Sequence, residues 1–214
     1  MLRLMPMALA LFVTGCASTG PGGESTGNEK LQEASAPASV AADAATIAVP
    51  PQAKTLYEQA TAVMASGDFV DAELRLKEFL LLYPQFPGAY VNLAIIHADS
   101  GDDEKARTAI DSALTLAPDY APALNQLGML LRRNGNFLEA EAAYMKAVTV
   151  SPTYALAHYN LGVLNELYLQ RLDVALQHFE QYQSLVGGDK QVEKWITDLT
   201  RRIAAHQRTA NVAD

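Results

Sequence analysis

The chain has one cysteine and four histidines, the side chains most often used as nucleophiles, general bases and metal ligands. The histidines, His97, His158, His178 and His206, are scattered, and no HExxH, paired-cysteine or phosphate-loop spacing is present. The acidic run Asp102-Asp103-Glu104 fits the start of a helix, where carboxylates cap free amides, better than a metal site. We therefore predict that the chain is not an enzyme and holds no metal and no cofactor.

Cys16 is the residue whose context indicates a covalent modification. It follows an apolar segment after Arg3, which is too short to span a bilayer and has the length of a signal-peptide core. The closing Val13-Thr14-Gly15-Cys16 resembles the bacterial lipobox, in which the cysteine thiol receives diacylglycerol before cleavage. The resemblance implies a signal peptide over 1–15 and three acyl chains on Cys16, which anchor a protein stably. The alternative is a buried cysteine after an ordinary secretory signal.

The residues after the cysteine predict a tether. Ala17 stands where an aspartate would resemble an inner-membrane retention signal of enteric-type bacteria, so the resemblance implies the periplasmic face of the outer membrane. Residues 16–52 are rich in Ala, Ser, Thr, Gly and Pro and have few large apolar side chains. We predict that 16–52 is a disordered linker, with a root-mean-square reach of about 30–35 Å.

The rest of the chain repeats every 34 residues. Pro84, Pro118 and Pro152 keep this spacing, and small residues recur at fixed places counted from the start of each window. The eighth place holds Ala60, Ala94, Gly128 and Gly162. A fixed period of this length is typical of stacked helical hairpins. It predicts four repeats, over 53–86, 87–120, 121–154 and 155–187.

Each window predicts a helix, a tight turn and a second helix. Gly67, Gly101 and Gly135 suit the left-handed conformation that ends the first helix, and Asp68 suits the cap of the second. The fourth window has no glycine at this turn and has one extra residue, so we expect a longer or distorted turn at 169–172.

A further helix is predicted after the repeats. Within 188–207, Val192, Trp195, Ile196, Leu199 and Ile203 fall on one helical face. A helix with one apolar face and one polar face is what a helical stack needs at its end, so Trp195 is expected to pack on the last repeat. Residues 208–214 are expected to be frayed.

The repeats resemble the tetratricopeptide repeat. The third window carries the family's marked residues at Leu124, Leu127-Gly128, Leu131, Ala140, Tyr144, Ala147 and Pro152. The fourth place, where the family has its tryptophan, instead holds Leu56, Tyr90, Leu124 and His158. The resemblance implies an all-α fold: an α-solenoid of about four helix-turn-helix repeats with a C-terminal capping helix.

The resemblance also implies where a partner binds. The first helix of each repeat lines the concave groove of such solenoids, which gives as candidate partner-binding residues Tyr57, Asn92, Ile95, Asn125, Gln126, Met129, Arg132, Arg133, Tyr159, Asn160 and Val163. Asn92, Gln126 and Asn160 share the sixth place, and some superhelical relatives use such an amide column to hydrogen-bond a peptide backbone. The alternative is that these amides solvate the groove or tie adjacent repeats together.

These expectations favour a lipid-anchored periplasmic scaffold that binds a protein or peptide in its groove. Lipoproteins of this plan include secretin pilots of type IV pili and components of outer-membrane assembly and secretion systems. The stretch from 160–170 through 195–199 is similar to small repeat proteins of TonB-type systems. The alternative is an adaptor of a peptidoglycan synthase or hydrolase. The net charge of −8 and the pI of about 5.0 argue against nucleic acid as a partner. No small-molecule substrate is expected.

The lipid anchor is tested by Cys16→Ser. The variant has no thiol to acylate, so we expect an unprocessed signal peptide and release from the lipid-anchored fraction. Fractionation of cells and the mass of the mature N-terminus measure both effects. A processed, membrane-bound Cys16→Ser protein would contradict the lipoprotein interpretation.

Overall fold

The computed structural model describes residues 50–213, with side chains as far as Thr209. The predicted signal peptide at 1–15, Cys16 and the linker up to residue 49 lie outside the described residues. The described residues form nine α-helices and no strands, and these are α1 Pro51–Ala65, α2 Phe69–Leu82, α3 Pro87–Asp99, α4 Asp103–Leu116, α5 Ala121–Arg133, α6 Phe137–Val150, α7 Ala155–Leu167, α8 Leu172–Val186 and α9 Lys190–Ala213.

The helices pair into four antiparallel hairpins, α1–α2, α3–α4, α5–α6 and α7–α8. The second helix of each hairpin also packs against the first helix of the next, and α9 packs on α8 in the same way. This is the predicted α-solenoid with its capping helix. In the part of the chain that the structure describes, none of the helices has both the length and the apolar character to cross a bilayer.

The predicted turns are confirmed in the first three hairpins. Gly67, Gly101 and Gly135 all have positive φ, near +80°, which a side chain would disfavour. Asp68 accepts a hydrogen bond from the amide of Asp71 at the start of α2, and Asp102 caps α4 in the same way. Each turn is three residues long, so the first three hairpins have the same connection between their two helices.

The fourth turn has the expected extra residue. Four residues separate α7 from α8, and Gln170 takes the left-handed conformation, with φ of 56°, that glycine has elsewhere. The amide of Arg171 closes the turn on the carbonyl of Asn165, six residues earlier. In the two preceding hairpins the closing amide reaches back five residues. The insertion is thus absorbed within the turn, and α8 still packs along α7.

Two boundaries differ from the sequence prediction. The first helix begins at Pro51 rather than residue 53, because proline needs no amide partner in the first turn of a helix. The last helix is Lys190–Ala213 rather than 188–207, so the tail expected to be frayed at 208–214 is helical as far as Ala213. Alanine, arginine and glutamine in this stretch favour helix, and no glycine or proline interrupts it.

The hairpins are held together by size complementarity at the eighth place. A Cβ added to Gly128 would lie 2.5 Å from the ring of Tyr144, and one added to Gly162 would lie 2.6 Å from the ring of Phe179. The repeats with alanine at this place have smaller side chains in the corresponding position of the second helix, namely Leu76 and Ile110. Glycine therefore occurs where the opposing side chain is aromatic.

The fit between Gly162 and Phe179 gives a stability test. We expect Gly162→Ala to destabilise the protein by about 1–3 kcal/mol, because the added methyl group overlaps a fully buried ring. Phe179→Leu on that background reproduces the alanine–aliphatic pair of the first repeat, so the double variant should be less destabilised than the sum of the single variants. Urea unfolding of all four proteins measures the coupling. Strictly additive costs would show that the two side chains do not constrain each other.

Candidate functional site

The inner face is the exposed side of the first helices, α1, α3, α5 and α7. Helix α3 contacts α5, and α5 contacts α7, whereas no comparable contacts join consecutive second helices in the described region. Because α3, α5 and α7 lie closer together than the second helices do, the stack bends toward the first helices. The predicted partner-binding residues therefore lie on, or directly beneath, a concave surface.

The asparagines of the predicted site are buried and join adjacent repeats. Asn92 donates from Nδ2 to the hydroxyl of Tyr57 over 2.9 Å, and Asn160 donates from Nδ2 to Oδ1 of Asn125 over the same distance. The partners of each pair are 35 residues apart, one repeat plus one residue. The structure thus shows that Asn92 and Asn160 tie adjacent repeats together, as in the alternative interpretation of the amide column. Direct partner binding by these amides stays a prediction.

One amide of the column is not used in this way. The residue that faces Gln126 by the same 35-residue rule is Val91, which is buried and has no hydrogen-bonding side chain. Gln126 is half-buried, and its side chain makes no hydrogen bond to another described residue. Its amide remains available to a partner in the middle of the inner face.

The apolar candidates divide by burial. Tyr57, Ile95 and Met129 are half-buried and form the accessible apolar part of the inner face, whereas Val163 is almost fully buried. Tyr159 is half-buried because its ring packs against the rings of Phe179, Tyr182 and Trp195. The structure therefore leaves the middle and the N-terminal end of the inner face as the more accessible apolar surface.

The capping helix closes the other end of the inner face. The Trp195 ring lies 5.5 Å from the ring of Phe179 and 6.0 Å from that of Tyr159, as predicted for a packing residue. Arg202 of α9 forms an ion pair with Glu166 of α7 at 2.7 Å. Helix α9 therefore bounds the inner face at this end.

The basic pair of the predicted site is engaged within the protein. The guanidinium of Arg133 donates to the carbonyl of Ala98 and contacts Asp103, both in the preceding repeat. The guanidinium of Arg132 lies over the ring of Tyr168, 5.9 Å from its centroid. These contacts give both arginines a structural role, and their partner-binding role stays a prediction.

Sequence reasoning did not identify Tyr120 and Gly88. A Cβ added to Gly88 would lie 3.0 Å from the hydroxyl of Tyr57 and 3.3 Å from that of Tyr120, so the two hydroxyls converge on this glycine. Burial raises the pKa of Tyr120 to about 12, and burial followed by the nearby Tyr120 raises the pKa of Tyr57 further. Both phenols therefore stay protonated. The sequence signal that could have indicated Tyr120 was an aromatic residue at the last place of three windows, namely Phe86, Tyr120 and Tyr154.

His158 and His178 form a hydrogen-bonded pair between α7 and α8. Their Nδ1 atoms lie 3.2 Å apart, and Nε2 of His158 lies 3.1 Å from the carbonyl oxygen of Pro152. Because a carbonyl only accepts, Nε2 of His158 carries the proton, and its Nδ1 accepts from Nδ1 of His178. Both ring nitrogens of His158 and Nδ1 of His178 are thus used within the protein. No group of three or more potential metal ligands occurs in residues 50–213.

Comparison with known proteins identifies the repeats. Two family models described as tetratricopeptide repeat match residues 86–151 and 125–190. The comparison with curated proteins gives no match. The repeats of residues 86–190 are therefore tetratricopeptide repeats, which confirms the resemblance noted in the sequence.

Solved structures share the fold. PilF of Pseudomonas aeruginosa matches with a TM-score of 0.64 and 21% identity over 72% of this chain and 69% of its own. A thermophilic repeat protein of Thermus thermophilus matches with a TM-score of 0.61 and 22% identity, over 71% and 82%. The first repeat domain of Spaghetti (RPAP3), bound to an HSP90 peptide, matches with a TM-score of 0.51 and 16% identity, over 55% and 95%.

The histidine pair gives a pH test of this region. Burial, and secondarily the neighbouring His158, lower the pKa of His178 from 6.5 to about 4, while Glu141, which Arg171 holds in an ion pair, opposes the shift. A lowered histidine pKa means that the unfolded chain binds the proton more tightly than the folded chain. The contribution to stability is therefore complete above pH 6.5 and is lost as the pH falls toward 4.

We expect His178→Gln, which retains an amide donor for His158, to reduce the fall in melting temperature between pH 7 and pH 5. The exposed His206 provides the control, and His206→Gln should leave that fall unchanged. Scanning calorimetry at both pH values measures the difference. An identical pH dependence in His178→Gln and the parent protein would contradict this role of the pair.

Proposed function

We propose that this tetratricopeptide-repeat chain is a non-enzymatic scaffold that holds a protein or peptide partner on its inner face. We further propose that acylated Cys16 anchors it to the periplasmic face of the outer membrane. There it supports the assembly or stability of an envelope complex, such as a type IV pilus, a secretion system or a TonB-type system.

The observation that carries the binding proposal is the accessible part of the inner face. Tyr57, Ile95, Gln126 and Met129 lie half-buried on the first helices α1, α3 and α5. Asn92 ties α3 to Tyr57 of α1, and Asn160 ties α7 to Asn125 of α5. An apolar surface with a few fixed polar groups suits a helical or extended segment that presents apolar side chains.

The anchoring proposal is supported by the order of residues at the N-terminus. A short apolar segment, small residues and Cys16 occur in the order that a lipobox requires, and a linker poor in large apolar residues separates them from Pro51. A tether with a reach of about 30–35 Å carries the repeats clear of the lipid headgroups.

The peptide complex of the RPAP3 repeat domain supports peptide binding by this fold.

The inner face can be tested by crosslinking in cells. A photoreactive amino acid at Gln126 should capture the partner. The matched control is Gln177 of α8, an exposed amide on the outer face, which is the exposed side of the second helices. A photoreactive amino acid at Gln177 should not capture the partner. Introducing Met129→Glu should reduce capture from position 126 by about tenfold or more, because a charge is placed in the apolar contact. Mass spectrometry identifies the captured chain.

The possible outcomes separate the hypotheses. Capture of pilus, secretion or transport subunits supports the envelope-complex proposal, whereas capture of a wall synthase or hydrolase replaces it with the adaptor function. Equal capture from positions 126 and 177, or capture that Met129→Glu leaves unchanged, would contradict binding on the inner face. The melting temperature of the Met129→Glu protein checks that the fold is intact.

A further inference from the structure

The second repeat departs from the others on the outer face. At the fourth place it has Tyr90, where the other repeats have Leu56, Leu124 and His158. One face of α4 carries the short polar side chains of Thr108, Asp111, Ser112 and Thr115. The same places are Leu74, Lys77, Glu78 and Leu81 in α2, and Ala142, Met145, Lys146 and Thr149 in α6. Apart from Thr149, α2 and α6 have other residue types at these places, so the repeat fold does not require the polar row.

Both departures line the same cleft. A cleft of about 440 Å³, which we name the α4 cleft, is lined by Tyr90, Thr108, Asp111, Ser112, Thr115 and Leu116. Tyr90 is half-buried, and Leu116 is 44% exposed. The cleft thus combines an aromatic ring and an aliphatic side chain with a row of oxygen atoms along α4.

The oxygen atoms of the α4 cleft are acceptors. The hydroxyl of Thr108 donates to the carbonyl of Glu104 over 2.9 Å, and those of Ser112 and Thr115 donate in the same way to carbonyls four residues earlier, within α4. Each hydroxyl proton is therefore used inside the helix, while the lone pairs remain. The carboxylate of Asp111 accepts from Arg107 Nε at 2.9 and 3.0 Å and has further lone pairs. A ligand of this row must bring donors.

Tyr90 and Leu116, the other side chains that line the α4 cleft, restrict which ligands with hydrogen-bond donors can bind. An aromatic face attracts a cation, and an aliphatic wall packs against the methylene stem of a long basic side chain. Asp111 is already ion-paired with Arg107, so the overall net charge of −8 is the feature that disfavours anions. Arginine meets each requirement, because its planar guanidinium offers five donors, no acceptor and a flat surface that stacks on aromatic rings.

We propose that the α4 cleft binds an arginine side chain of a protein partner, with the guanidinium between the Tyr90 ring and the oxygen row of α4. This contact lies on the outer face and is separate from the inner-face site. The chain then engages partners on two surfaces, by apolar contacts on one and by a basic side chain on the other.

The proposal is tested with acetyl-arginine amide as the probe and the isotope-labelled full chain, at constant ionic strength. We expect saturable shifts, at millimolar concentration, confined to the backbone amides of Tyr90 and of residues 108–116. Tyr90→Leu, which introduces the residue of the first and third repeats, should weaken binding at least fivefold. Thr149→Val, at the place in α6 equivalent to Thr115, is the matched control and should bind like the parent protein.

Three results would overturn the proposal. The first is the absence of saturable shifts with acetyl-arginine amide, and the second is unchanged binding by a folded Tyr90→Leu protein. The third is an equal response to acetyl-norleucine amide or to maltotriose, which would indicate an apolar or a saccharide ligand instead. The inner-face variant Met129→Glu should bind the probe normally, so failure of either binding proposal leaves the other testable.

Discussion

The close approach of the two helices within each hairpin is the constraint on which the rest of the structure depends. In the third and fourth repeats, no side chain fits between the backbone of the first helix and the aromatic ring opposite it, Tyr144 or Phe179. The first two repeats reach the same result with alanine against an aliphatic residue. Interiors are packed too densely to accept an extra methyl group without displacement. The pair of sizes therefore fixes the spacing of every hairpin.

Contacts between hairpins then set the register of the stack. Hydrogen bonds from the side-chain amides of buried asparagines join Asn92 to Tyr57 and Asn160 to Asn125, and an ion pair joins Arg171 to Glu141 across the third and fourth repeats. The buried bonds contribute more than the exposed ion pairs, because solvent screens the latter. Their use within the stack decides what the inner face can offer. In the proposed inner-face site, Gln126 and the apolar side chains are therefore the groups left to meet a partner.

The individual repeats differ where the fold does not require them to be alike. The fourth repeat accommodates an extra residue by placing Gln170 in a left-handed conformation, at a modest cost in backbone strain. The second repeat gathers Tyr90 and the polar face of α4 into one cleft. A helix packs through one face only, so residues on its outer face are free to vary. Such differences between copies are informative about binding even when one sequence is considered alone.

Much of the fold was determined by the sequence itself, because turns and close helix contacts depend on residue types at fixed spacing. Glycine, proline and alanine at a 34-residue period predicted the hairpins, the extra residue predicted the longer fourth turn, and the apolar face around Trp195 predicted the cap.

The candidate site was only partly predictable. The repeat placed Asn92, Asn125 and Asn160 near the inner face but left open whether they meet a partner or one another. The tertiary structure shows that they hydrogen-bond between repeats, while partner binding by them stays a prediction. Contacts between residues 35 positions apart depend on how one hairpin is rotated against the next. The convergence of Tyr57 and Tyr120 at Gly88 depends on the same rotation. The pairing of His158 with His178 depends instead on how α7 and α8 pack within one hairpin. No local pattern records either arrangement.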